Sequence, residues 1–107
     1  MSRIKYWKLV RDKIPEIIQD NGKHCVCSIL SDEEYLTMLD EKLNEELAEY
    51  QESKSLEELA DLLEVLRSVA VARGSSFEEV EAIRQDKAGK RGGFEKKILL
   101  KEVTSDD

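Results

Sequence analysis

The chain has 107 residues, of which 40% are hydrophobic, 6% aromatic and 38% charged, with a formal net charge of −7. That balance predicts a folded single domain over residues 1–107 rather than a disordered chain. It excludes a protein that coats nucleic-acid polymers or binds anionic membrane, and suits one that recruits a cation to hold a phosphate.

The N-terminal "MSRIKYWKLVRDK" lacks the apolar segment and small-residue cleavage site of a secretory signal. No apolar run is long enough to span a bilayer. A cytoplasmic location is therefore expected. "KIPEIIQD" predicts a short helix capped by Asp12, with Pro15 in its first turn and a stop at Asn21-Gly22. "KHCVCSIL" follows as a strand candidate. Cys25 and Cys27 are too close for an unstrained disulfide, and with His24 they offer too few ligands for a structural zinc site. The simpler expectation is an alternating strand with two small side chains facing inward.

Ser31 and Glu34 form a capping box that opens a long helix. Its apolar stripe is Leu36, Leu39, Leu43, Leu47 and Tyr50, and the turn "QESKS" ends it. Ser55 and Glu58 predict a second capping box, opening "LEELADLLEVLRSVAVAR" up to Gly74. "FEEVEAIRQDKAGK" is a further helix, opened by Ser75 and Ser76, ended by Gly92-Gly93 and lined by Phe77, Val80 and Ile83. The tail "FEKKILLKEV" is a second strand candidate. The expected fold is mainly α, an antiparallel bundle of about four helices. One minor two-strand pairing is added, about residues 23–30 with 95–103.

Acidic residues crowd the middle of the chain. At ~100° per residue, Glu46 and Glu49 share an edge bordering the long helix's buried stripe, and Glu45 points nearly away. On the next helix the stripe is Leu59, Leu62, Leu63, Leu66 and Ala70. Glu58 and Asp61 share a flank that continues into Val65, Ser68 and Ala72. The turn brings the two acidic edges together. Two readings stay open on periodicity alone. The carboxylates are the solvated skin of ordinary helices, or they converge on a hard cation, for which oxygen-only ligation favours Mg²⁺ or Mn²⁺. Basic residues offer grips for phosphate: Arg84, Lys87 and Arg91 on one helix face, and Lys8, Arg11 and Lys13 in "KLVRDK".

"EELAE" followed by "ELAD" has the form E-E-x-x-E…E-x-x-D. This resembles the MazG-like, phosphoribosyl-ATP pyrophosphohydrolase-like superfamily of all-α nucleoside triphosphate pyrophosphatases. "KLVRDKIPEII", "SDEEY" and "KRGGFEKKILL" are similar to its short members and arrive in the family order, so the resemblance covers nearly the whole chain. It implies Mg²⁺ ligation by Glu46, Glu49, Glu58 and Asp61, with Glu45 one step behind them. It also implies cleavage of a nucleotide substrate between its α and β phosphorus, giving the monophosphate and pyrophosphate, with Glu46 or Glu49 taking the proton of the attacking water. Eight residues, Tyr50–Glu57, separate the two motifs. This is shorter than in MazG proper and leaves the base and sugar open, including a phosphoribosyl-nucleotide. Val65, Val69 and Val71 surround a helix that already has a full stripe, so a homodimer or homotetramer with its site near an interface is expected. The alternative is a non-catalytic helical oligomer that binds metal or a protein partner.

Overall fold

A computed structural model describes residues 3–105. Four helices form in chain order: α1 (Ile14–Asp20), α2 (Asp32–Ser53), α3 (Leu56–Ala72) and α4 (Phe77–Arg91). The chain divides into two compact units, one ending at Phe77 and the other beginning at Glu78. No helix is long and apolar enough to cross a membrane among the described residues.

The first unit is built on an antiparallel pair, α2 against α3. Helix α2 starts on the expected capping box. Ser31 Oγ accepts from the Glu34 N–H at 3.2 Å, and Glu34 accepts from the Ser31 N–H at 3.2 Å. The helix then runs through Gln51–Ser53, so the turn is only Lys54-Ser55 rather than the five residues expected. Lys54 takes the left-handed conformation, φ 56°, and its N–H closes on the Tyr50 carbonyl at 2.7 Å. A side chain there costs on the order of 1 kcal/mol that glycine avoids. Lys54→Gly should therefore raise the denaturant midpoint by a stability gain of up to about 1 kcal/mol, an outcome readable in one urea titration.

The first helix differs from expectation at its start. The cap position falls on Lys13, not Asp12, and no side chain caps it; Pro15 supplies the preset φ of the first turn instead. Its end is as expected, with Gly22 at φ 77° and the Lys23 N–H reaching back to Ile18 at 3.2 Å.

Burial shows which faces meet. Leu39, Val65 and Ala70 are the buried apolar residues among those described, and Glu46 is buried beside them at 7% exposure. On α2 the buried face centres on Leu39 and Glu46, not on Leu43, and Leu47 turns outward. On α3 the expected flank packs: Val65 is buried, and Glu58, Asp61, Ser68 and Ala72 are half-buried. Of the expected stripe, Leu59, Leu63 and Leu66 are exposed, as is Leu56 before it, while Leu62 is half-buried and Ala70 is buried. The heavier apolar side faces away from α2 because the partner helix presents carboxylates and Lys42 along its facing edge.

The strand pairing does not form: no described residue is in a strand. Val26, Ile29, Ile98, Leu99 and Val103 are all exposed, and an isolated pair of strands without a covered face is marginal in water. In the second unit, α4 buries none of its residues. Val80 and Ile83, expected inside, are exposed, because among α4 and its tail no apolar face covers them.

Candidate metal centre

The α2–α3 hairpin brings the acidic clusters together. Oxygens of Glu46, Glu58 and Asp61 lie within 4.8 Å of one another, as do oxygens of Glu45, Glu46 and Glu49. Glu46 belongs to both triads and is the pivot of the group. It sits there because the buried face of α2 centres on Leu39 and Glu46, about 20° apart on a regular helix.

Glu58 is freed for this group by an incomplete cap. Ser55 Oγ accepts from the Glu58 N–H at 3.4 Å, but the Glu58 carboxylate does not turn back to the Ser55 N–H. That N–H donates to Ser53 Oγ at 3.2 Å instead. The expected second capping box is therefore half formed, and the carboxylate that would close it faces Glu49.

The electrostatics are those of like charges forced close. Burial pushes the Glu46 carboxyl above its ordinary range and the neighbouring Glu49 charge adds to this, while Lys42 at 3.4 Å opposes it. Burial also raises the Glu58 carboxyl, followed by its hydrogen bond with Glu49 and the charges of Glu49, Asp61 and Glu46. One oxygen on each residue, Glu46 Oε2 and Glu58 Oε2, is buried with no hydrogen-bond partner. Native proteins leave few buried polar atoms orphaned, and an ion is one of the standard explanations. Hard oxygen donors of this kind suit Mg²⁺ or Mn²⁺.

Glu45 lies nearer the group than its helical phase predicted. Once the buried face is centred on Leu39 and Glu46, Glu45 falls beside Glu49, one turn away on the same flank. Burial raises its carboxyl, but the hydrogen bond from Lys8 and the charges of Lys42 and Lys8 outweigh this and hold it below the ordinary range. Lys8 reaches Glu45 at 2.9 Å, and Arg11 reaches Asp61 at 2.7 Å. The N-terminal segment is thus a strap, tied to α2 by one cation and to α3 by the other. Lys13 lines the cavity beneath this strap. Arg84, Lys87 and Arg91 lie on α4 in the second unit, all exposed, with Arg84 paired to Glu81 on its own helix. Lys42 stands four residues before Glu46, an ordinary helical ion pair by spacing, and it reaches both Glu46 and Glu45 at 3.4 Å.

The cysteines take no part. Cys25 is half-buried near the Pro15 carbonyl, Cys27 and His24 are exposed, and none of them joins a metal-competent group among the described residues.

No family model and no solved structure matches the chain. A segment of 42 residues is 55% identical to an uncharacterized protein of Mycolicibacterium smegmatis (strain ATCC 700084 / mc(2)155). That match covers 39% of this chain and 43% of the relative, so the chain spans less than half of the protein it resembles.

Proposed function

We propose that this chain is a metal-dependent nucleotide pyrophosphohydrolase of the MazG-like kind, cleaving a nucleoside triphosphate or a related phosphoribosyl-nucleotide to the monophosphate and pyrophosphate. The observation that carries the reading is the pair of carboxylate triads that share Glu46, one with Glu45 and Glu49 and one with Glu58 and Asp61, together with the orphaned buried oxygens of Glu46 and Glu58. A bound Mg²⁺ or Mn²⁺ would supply Lewis-acid polarisation of a phosphoryl oxygen and an activated water. Glu46, shared by both triads, is the central ligand, with Glu58 and Asp61 beside it. Glu49 belongs to one triad only and keeps oxygen capacity for the proton of the attacking water. Lys42 offsets part of the negative charge at Glu46.

A homodimer or homotetramer belongs to the same proposal. The exposed leucines of α3, Leu56, Leu59, Leu63 and Leu66, recur at steps of three and four residues. That spacing is the seam of a helix pair, and an identical seam on a second copy fits it.

The test is a nucleotide panel with Mg²⁺, scored separately for pyrophosphate and for orthophosphate. Pyrophosphate should be released from at least one substrate and vanish with chelator. Its absence across the panel, with metal still bound, would leave the non-catalytic metal-binding oligomer as the better account.

A further inference from the structure

We propose that the cavity under the N-terminal strap is a phosphate site whose main cation, Arg11, is held on Asp61 until a divalent ion takes that carboxylate. The inference rests on the metal centre proposed above. The cavity is about 440 Å³ and lies within the first unit, floored by Leu39 and Val65. Arg11, Lys13 and Lys42 line it on the basic side and Asp12, Glu46, Asp61 and Glu64 on the acidic side, so an anion needs a cation on the carboxylates before it can enter. It is large enough for a diphosphate and its attached group.

Arg11 holds Asp61 through a single nitrogen, Nη2, on a single oxygen, Oδ1. Both side chains are partly exposed, at 58% and 40%, so the pair is weak and exchangeable. The same carboxylate has an oxygen within 4.8 Å of Glu46 and Glu58 oxygens. A divalent ion among these carboxylates carries twice the charge of the guanidinium and competes for Asp61 directly. Arg11 displaced in this way stays close, because Lys8, three residues earlier, pins the strap to Glu45. Its donors are then free at the cavity where the second and third phosphates of a metal-held ligand would lie. A guanidinium suits that task because its planar fork matches phosphate oxygens. Arg11 thus opposes the metal and assists the anion, so that metal and anion bind with positive coupling.

Calorimetry on the full chain separates the parts. Arg11→Ala should bind Mn²⁺ about three- to fivefold more tightly than wild type, the loss of one weak competing pair. At saturating Mg²⁺ the same variant should bind pyrophosphate about tenfold more weakly, the loss of one charge-assisted contact. Arg11→Lys, which keeps the charge, should bind Mn²⁺ within twofold of wild type. Arg73→Ala removes a charge whose partner, at 3.2 Å, is Asp40 rather than any carboxylate of the cluster, and should leave Mn²⁺ affinity unchanged. Equal tightening in Arg73→Ala would show a net-charge effect and overturn the hand-over. Unchanged Mn²⁺ or pyrophosphate affinity in Arg11→Ala would overturn it while leaving the metal centre standing. Failure of wild type to bind Mn²⁺ at all would remove the metal centre and the hand-over together.

Discussion

Glu46→Gln should melt at a higher temperature than wild type in chelator and at a lower one in millimolar Mg²⁺, and it should lose turnover. The first effect follows from the orphaned buried oxygen: leaving such a group unpaired costs about 1–3 kcal/mol, and a glutamine amide offers donors to the surrounding carboxylates. The gain in chelator should be on the order of 1 kcal/mol. The second effect is the loss of linkage, since a ligand at a hundredfold excess over its dissociation constant stabilises by about 2.7 kcal/mol. Turnover should fall on the order of 10²–10³-fold, as for the loss of one central electrostatic group in other active sites. The pH dependence has a definite sign. Glu46 and Glu58 are raised above the ordinary glutamate value of about 4.3. Between that value and the raised ones, the folded chain holds protons that the unfolded chain has lost. These two groups therefore make the metal-free fold less stable as pH climbs through that window. A metal must displace those protons, so its stabilisation should be smallest at the acid end and full above the window. A Mg²⁺ effect on melting that is flat with pH, or equal in Glu46→Gln and wild type, would remove the metal centre.

Leu63→Asp should turn the protein from a dimer or larger assembly into a monomer at micromolar concentration. Leu63 sits in the middle of the outer α3 row and is half exposed in the single chain. Burying a leucine is worth roughly 1.5–3 kcal/mol, and a symmetric contact uses it twice. The substitution should weaken association about 10²-fold or more, and an acidic side chain adds repulsion in a chain already carrying −7. Sedimentation of wild type and variant decides the matter. A wild-type monomer, or a variant that sediments with wild type, would leave the leucine row without a partner copy.

The helices were legible because their signals are local. Ser31 with Glu34, Ser55, Gly22 and Gly74 mark ends through hydrogen bonds that span three to five residues. The approach of Glu46, Glu58 and Asp61 was legible from spacing along two adjacent helices, but that of Glu45, which the helical phase pointed away, was not. Helix phase was less so. Leu59, Leu63 and Leu66 outweigh Val65 and Ser68 on any apolar count, yet α3 packs its lighter side on α2. Periodicity identifies an apolar face but not which partner covers it. The strand expectation, about residues 23–30 with 95–103, failed because a locally extended pattern describes a backbone able to pair, while pairing needs a covered face. The ion pairs of Lys8 and Arg11 join residues far apart in sequence, and no spacing rule reaches across that separation.

The two-residue turn at Lys54-Ser55 has a kinetic consequence. Glu46 and Asp61 bracket the four candidate ligands, and fifteen positions separate them. Loop-closure entropy for so short a span is small, and a helical hairpin of this kind closes on the microsecond scale. The carboxylates therefore meet early, before the strap from Arg3 to Lys13 has any surface to lie on. If the carboxylates hold a cation, it should bind the nascent hairpin and raise the refolding rate in a stopped-flow comparison with and without Mg²⁺, rather than only slow unfolding. Charge repulsion across the turn would then oppose closure of the hairpin in an ion-free chain.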